Sequence, residues 1–590
     1  MSEIDVVGCK DASGVFCGKL ALLHPNQSFP ILSFAEKVSV LTTQKRNQYS
    51  LVFGFPTTEK EELVSRLNFE RLLEVRLKRR NLLIGAGGLV GFTVASQWSH
   101  RVLAQPKFSA YPFTLGVASG DPLPHGVILW TRLAPLPING GGMPQENVQV
   151  QWQVATDSNM KKVVRKGIAV ASADLAHSVH VDVRGLEPDK VYWYQFKAGS
   201  EISPIGRTRT LPDNRTSVSR LDFAFASCQE YQSGFYTAYK FMAEEDLNFV
   251  IHLGDYLYEG GINTNRVRQH NSPEIITLED YRNRYGLYKS DPDLQATHAA
   301  FPWIVTWDDH EVDNNWAGLV PEDPDNQSPQ QFYERRQAAF QAYYEHMPLR
   351  IKPSFPWDEL RLYRRFIIGD LASFHVLDTR QYRSDQVCLQ TFPSAPDCPE
   401  RREPSLTMTG TEQENWLFQG LGKSSTRWNV LAQQIWFGQI DYQPGPGQAF
   451  NMDQWDGYPA ARQRILDFIE SRHPSNPVVI TGDWHSFCTQ DLKKNFDDPN
   501  SKTLATEFAG TSISSLCPWA SNVQASLSEN PHVKFFNGDV RGYVRASVTH
   551  DTWQSDYRSV STTANRDTAT ISNLASFIVL NGQPGAQRIS

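Results

Sequence analysis

The run Leu247-Asn-Phe-Val-Ile-His-Leu253 has the length of one buried strand and stops on Gly254-Asp255-Tyr256-Leu257-Tyr258. A carboxylate and a phenol are thereby brought together at a sheet edge, an arrangement suited to holding metal. Four other segments, distant in sequence, repeat the pattern of an apolar strand ending in potential ligands. They are Leu221 to Ser227 into Cys228, Trp303 to Trp307 into Asp308-Asp309-His310-Glu311, Ala372 to Leu377 into Asp378-Thr379-Arg380, and Val478 to Thr481 into Gly482-Asp483-Trp484-His485. In open α/β sheets ligands bind beyond the carboxyl ends of the strands. Taken singly, each ending has an ordinary reading. Cys228 is a buried apolar filler, Asp255 a turn or helix cap, Tyr258 cleft lining, the acidic pair a solvated turn, and Arg380 a partner of Asp378. Together they describe one site.

At 590 residues the chain is too long for one ordinary core, so two or more domains are expected. A net charge of -7 spread over this length argues against a nucleic-acid-binding surface, which would normally show a basic stripe or cluster. An acidic protein that handles anions needs its positive charge concentrated locally, which bound metal ions provide. None of the seven cysteines forms a CxxC pair, which removes zinc ribbons and thioredoxin-like motifs. Cys388 and Cys398 bracket a Pro-rich stretch and could pair in an exported protein or stand as two thiols.

Residues 1–62 show no sustained period and read as a disordered extension. Residues 63–105 read as an export signal. A charged helix from Glu59 to Arg80 leads into Arg79-Arg80 and then an apolar piece, Asn81 to Ser96, of roughly 15 residues, short of the ~20 that span a bilayer. This resembles the h-region behind a twin-arginine n-region, with Val102-Leu103-Ala104 offering a cleavage site. From 106 to 212 the texture is short alternating strands (Val127–Arg132, Val148–Val154, His177–Val183, Val191–Phe196), the mark of an antiparallel sandwich of fibronectin-like type. From 213 to 590 it becomes α/β. Helices are expected over Gly234–Glu245, with Phe235, Tyr239 and Met242 inward, and over Phe332–Tyr344 and Glu412–Gln419; closing strands are expected from Asp539 to Leu580.

The ligand types discriminate between metals. Cys228, Asp255, Tyr258 and His485 offer a thiolate, a carboxylate, a phenolate and an imidazole, a set that suits a ferric ion. Asp255, Asp309 and Asp483 offer carboxylate oxygens, which suit a hard divalent cation, and Asp255 is the natural bridge. Metals within ~4 Å of each other can bind a phosphate oxygen, lower the pKa of water and stabilise in-line displacement. His310 is then placed to hydrogen-bond the phosphoryl group or protonate the leaving group, and Arg380 to fork onto phosphate.

The segments Phe225-Ala-Ser-Cys-Gln229, Gly254-Asp-Tyr-Leu-Tyr-Glu259, Thr306-Trp-Asp-Asp-His-Glu-Val-Asp-Asn-Asn-Trp316, Leu377-Asp-Thr-Arg-Gln-Tyr382 and Gly482-Asp-Trp-His485 resemble the PhoD family of alkaline phosphatases and phosphodiesterases. The resemblance runs from Phe113 to the C-terminus. It implies a multi-domain fold: an N-terminal β-sandwich, then an α/β metallophosphoesterase β-sandwich domain flanked by helices. It implies one ferric ion on Cys228, Asp255, Tyr258 and His485, and two calcium ions on Asp255, Asp309 and Asp483, with Asp308 or Asn314 contributing. The wider superfamily has an aspartate in the first motif and Gly-Asn-His-Glu in the third, where this chain has Cys228 and Asp309.

The expectation is therefore an exported, monomeric hydrolase of phosphomonoesters and phosphodiesters, periplasmic or secreted, without stable membrane insertion. It would be carried folded by the twin-arginine machinery and would release phosphate for uptake. The rival readings are a phospholipase D-like or nucleotide phosphodiesterase on the same scaffold, and a catalytically silent secreted phosphate-binding protein. The signal lies unusually far from Met1, and the next methionine, Met143, lies beyond it, which places the biological start near Val64 or Leu67. N-terminal sequencing of the native precursor and mature protein should show a mature chain without residues 1–60; a mature chain that keeps them refutes this start.

Overall fold

The structure, a computed structural model, describes residues 107–590 except Ser354, Leu389 and Gln390, together with the backbone of four short strands nearer the N-terminus. The chain divides into two units, Met1–Val102 and Leu103–Ser590. In the first unit Gly8–Lys10 pairs antiparallel with Phe16–Gly18, and Val40–Lys45 with Gln48–Phe53. The export signal and the charged helix before it lie outside the described residues, as does the rest of the N-terminal extension.

The second unit opens with the sandwich. One layer is β1 (Val117–Leu123), β2 (Gly126–Arg132) and β5 (Ser178–Arg184); the other contains β3 (Val148–Ala155), β4 (Val163–Ala171) and β6 (Val191–Ala198). Alternate residues of the two layers meet in one core, with Val127 and Leu129 facing Val150, Val154 and Tyr194. The other face of β2 turns Ile128 and Trp130 away from that core, which period-2 geometry requires. The layer does not stop at the sandwich. β1 runs parallel to the later strand β11 (Pro302–Val305), so β1, β2 and β5 extend a ten-stranded sheet.

The centre of that sheet is β9 (Leu221–Ala226), β10 (Phe249–His252) and β11, all parallel. A second sheet of seven strands centres on β13 (Ala372–Val376), β14 (Trp428–Ala432) and β15 (Pro477–Thr481), also parallel. Phe223, Phe225, Phe249 and Ile251 pack across the interface on Phe374, Val430 and Ile480. The opposite faces are covered by helices. Ala224, Ala226 and Val250 lie under α1 (Thr237–Met242), α2 (Leu278–Lys289) and α4 (Pro329–His346), while Leu431 and Val479 lie under α5 (Gly410–Lys423) and α6 (Pro459–Arg472). The mainly apolar residues on both faces of these central strands are what a layer buried on both faces demands.

Two helix boundaries differ from the sequence reading for local reasons. The helix expected over Gly234–Glu245 is shorter, because the Phe235 amide bonds to the Thr563 carbonyl and is held outside it. Phe235 is accordingly only partly buried, and Tyr236 takes the interior place beside Tyr239 and Met242. The helix expected from Phe332 starts at Pro329, because Ser328 and Gln331 form a capping box and proline suits the first turn. The C-terminal segment does close the sheet, as an antiparallel meander of Arg541–Val548, Thr552–Val560 and Ile571–Leu580. Among the described residues no helix is long and apolar enough to cross a membrane.

Lys289 ends α2 in the interior at 2% exposure. Its Nζ donates to Tyr256 Oη at 3.1 Å and sits 4.4 Å from the Trp130 ring centre. Burial pulls its pKa from 10.5 to about 7. Between those values the unfolded chain holds a proton that the folded chain lacks, so stability from this residue rises with pH and its full cost is present below pH 7. Lys289→Met should therefore stabilise the protein by on the order of 3 kcal/mol at pH 6, with the gain fading toward pH 10.5. Urea unfolding of both proteins across this range measures it; a gain independent of pH would contradict the assignment.

Candidate metal centre

The strand ends turn sharply. Cys228, Asp255, Asp483 and His485 all have positive φ, 58°, 56°, 58° and 51°, a region that non-glycine residues enter at a cost of on the order of 1 kcal/mol or more. The turns are secured by hydrogen bonds between strand ends: the Cys228 amide donates to the Gly254 carbonyl at 3.1 Å and the Gln229 amide to the Asp255 carbonyl at 3.0 Å. Gly254 permits the closest approach. Its φ is 110°, and a Cβ there would lie 2.4 Å from Asp308 Cβ and 2.6 Å from Asp308 N. Gly482 does the same between the sheets, since its Cβ would fall 2.3 Å from Ser227 Oγ.

This geometry brings the sequence-selected residues together in two overlapping groups. Ligand atoms of Cys228, Asp255 and His485 lie within 4.8 Å of one another, and so do those of Asp255, Asp308, Asp309 and Asp483. Asp255 belongs to both. Tyr258 Oη donates to Asp255 Oδ2 at 2.8 Å and lies 3.1 Å from His485 Nε2. His485 Nδ1 is 2.6 Å from the Leu516 carbonyl, so Nδ1 carries the proton and Nε2 presents its lone pair to the cluster.

The electrostatics call for cations. Asp255 Oδ1 and Asp308 Oδ2 are buried without any hydrogen-bond partner. Burial, reinforced by the neighbouring carboxylates, drives the Asp255 and Asp308 carboxyls well above their ordinary range and Asp483 up to about 7. Burial likewise raises the Cys228 thiol, with the charges of Asp255 and Asp483 adding to it. Unpartnered carboxylate oxygens crowded beside a thiol and an imidazole in this way fit metal ions, which reverse each of these penalties.

Arg380 lies beneath the carboxylates. It is fully buried, its Nε bonds to Asp308 Oδ1, its Nη1 donates to Asp453 Oδ1 at 2.8 Å, and its Nη2 lies 3.7 Å from Asp309 Oδ2. It does not line the cavity above, so the forked phosphate contact read from sequence is not what this geometry offers. Asn314 turns its amide to Glu322, while the amide of Asn315, oriented to donate, reaches Asp309 and Asp453. His310 lines the cavity, with Nδ1 2.7 Å from Glu259 Oε2 and its ring 4.1 Å from the Tyr258 ring. Burial alone would favour neutral imidazole, but Glu259, Asp309 and Asp255 outweigh it and raise the pKa well above the ordinary value.

Two residues central to this arrangement were not assigned a role from sequence. Glu311 is fully buried and accepts from the amides of Asp255 at 3.1 Å, Tyr256 at 2.6 Å and Asp308 at 2.8 Å, tying two strand-end turns to one carboxylate. Its place in the Asp308-Asp309-His310-Glu311 run was the available signal. Asp453 follows no apolar strand and offered none. The site opens on a cavity of about 630 Å³ whose lining includes Asp309, Asp483, His485, Phe392 and Trp519.

Parallel strands from two packed sheets delivering grouped carboxylates to the floor of an open cavity define a phosphoric ester hydrolase, for which the crowded anions are a cation platform that anionic esters can approach. Comparison with known proteins agrees. Residues 223–557 match the family model of the PhoD-like phosphatase and residues 97–212 that of its N-terminal domain, and the chain belongs to this family. Alkaline phosphatase D of Bacillus subtilis (strain 168) is 51% identical over 543 residues, 90% of this chain and 92% of that protein. A solved structure described as "Structure of PhoD" superposes with a TM-score of 0.78 at 52% identity, covering 82% of this chain and 93% of that one.

Because Glu311 holds the ligand-bearing turns by three amides, Glu311→Gln should weaken metal retention about tenfold to a hundredfold while leaving the fold in place. Metal content after dialysis against graded chelator, alongside far-UV circular dichroism, gives the answer; undiminished metal retention would remove Glu311 from this role.

Proposed function

We propose that the site hydrolyses phosphomonoesters, and phosphodiesters as well, with one ferric ion held by Cys228, Asp255, Tyr258 and His485 and two calcium ions held by Asp255, Asp308, Asp309 and Asp483. The observation that carries this reading is the convergence of four aspartates, with two of their buried oxygens unpartnered, beside a thiol–phenol–imidazole set. Hard oxygen donors suit calcium and the mixed anionic set suits ferric iron. Asn314 lines the cavity and donates through Nδ2 to Glu322, which leaves its Oδ1 as the atom it would offer to a calcium ion.

When bound, such ions neutralise phosphoryl oxygens and lower the pKa of water. The chain supplies the rest. His310, fixed by Glu259 and carrying a proton, stands at the cavity wall as a donor to the phosphoryl group or the departing alkoxide. Arg380 positions Asp308 and Asp453 from below and offsets part of the carboxylate repulsion. The 630 Å³ cavity leaves room for a second ester substituent, which favours diesterase activity beside monoesterase activity. Export by the twin-arginine route is supported by Arg79-Arg80 ahead of an apolar run and by the Cys388–Cys398 disulfide, which belongs to oxidising compartments. The domain assignment that goes with this reading is a sandwich over 106–212 and a catalytic metallophosphoesterase domain over 213–590.

Asp255→Asn should lower kcat on p-nitrophenyl phosphate on the order of a thousandfold, about 4 kcal/mol of transition-state stabilisation. Elemental analysis of the isolated protein should find iron and calcium. Iron-free protein together with undiminished turnover by the variant would overturn the assignment.

A further inference from the structure

Phe392 is 64% exposed, unusual for a large apolar side chain held in a defined place. The chain around it is tied down at three points. The Cys388–Cys398 disulfide closes the segment, Ala395–Pro396 pairs antiparallel with Ala449–Phe450, and Asn451 Nδ2 donates to the Pro393 carbonyl at 2.9 Å. The anchoring buries Ala395 with Phe450 and Met452, while the ring of Phe392 itself faces the cavity.

What the ring meets there is aromatic. Phe392 lies edge-on to Trp519 at 4.9 Å and 5.9 Å from Trp484; the two indoles are 4.8 Å apart, and Trp519 lies 5.1 Å from the His485 ring. Trp484 stands between Asp483 and His485 in sequence, so the aromatic wall begins at the metal-ligand turn itself. The cavity lining also includes the polar residues Glu322, Asp385 and Asn314. A volume of 630 Å³ is far more than a phosphate group needs and is of the size that takes a ligand with a substantial organic part.

We infer that Phe392, Trp519 and Trp484 form a leaving-group subsite that stacks a planar ring on the alcohol portion of the ester while the phosphate lies over Asp255, Asp309 and Asp483. The inference rests on the metal-site assignment above. It makes aryl phosphates, or esters of other flat ring-bearing alcohols, better bound than esters of small aliphatic alcohols. Aromatic pairs favour offset or edge-to-face contacts, and a ring laid against the exposed face of Phe392 beside the indoles would make one of them.

Steady-state kinetics of the holoenzyme on phenyl phosphate and glycerol 3-phosphate test this, since comparing each variant with the parent cancels the difference in leaving-group reactivity. Phe392→Ala should raise KM for phenyl phosphate about threefold to tenfold with kcat retained, and leave both constants for glycerol 3-phosphate within about twofold. Phe392→Tyr, which keeps a ring, should restore the parent KM. An equal change on both esters, no change on either, or a change in kcat alone overturns the subsite. Asp255→Asn acts on both esters alike, so failure of the metal assignment is seen separately from failure of the subsite.

Discussion

Mutual repulsion among buried carboxylates is the constraint on which the site depends. Asp255, Asp308, Asp309 and Asp483 present oxygens within 4.8 Å of one another, in a region where charge is poorly screened. The protein opposes this only in part, through Arg380 below and His310 at the side. Two of the carboxylate oxygens are left without any donor. A chain that keeps such an arrangement keeps it for cations, and the phosphoric ester hydrolase chemistry of the family follows from the same excess of negative charge once it is answered by metal.

Holding that arrangement requires a rigid frame. Four of the site residues sit at positive φ, and such turns persist only when their surroundings over-determine them. The two sheets, packed through phenylalanine and aliphatic side chains and covered by helices outside, supply the over-determination. Glu311 carries the frame's rigidity into the site by binding the amides of two turns at once. The sandwich adds to the same frame, because three of its strands continue the catalytic sheet.

Much of the fold was legible because its signals are local. Period-2 runs gave the sandwich strands, mainly apolar runs gave β9, β10 and β15, and Ser328 with Gln331 would have given the start of α4. Phe235 was misplaced because the Thr563 carbonyl that holds its amide is more than 300 residues away. The site was legible in its ligand types and less so in its roles. Arg380 follows a strand end as the ligands do, yet its guanidinium is spent on Asp308 and on Asp453, a residue with no strand to announce it.

The sequence by itself determined which chemistry is available: a thiol, phenol, imidazoles and aspartates at the ends of buried strands, spaced so that only convergence makes sense of them. Tertiary structure alone decided how these groups divide the work. The approach of Gly254 to Asp308, the bridging position of Asp255, the submerged Arg380 and the aromatic wall around Phe392 all depend on distances between segments far apart in the chain. Such distances are set by the packing of two sheets and their helices, a global property that no local pattern of residues encodes.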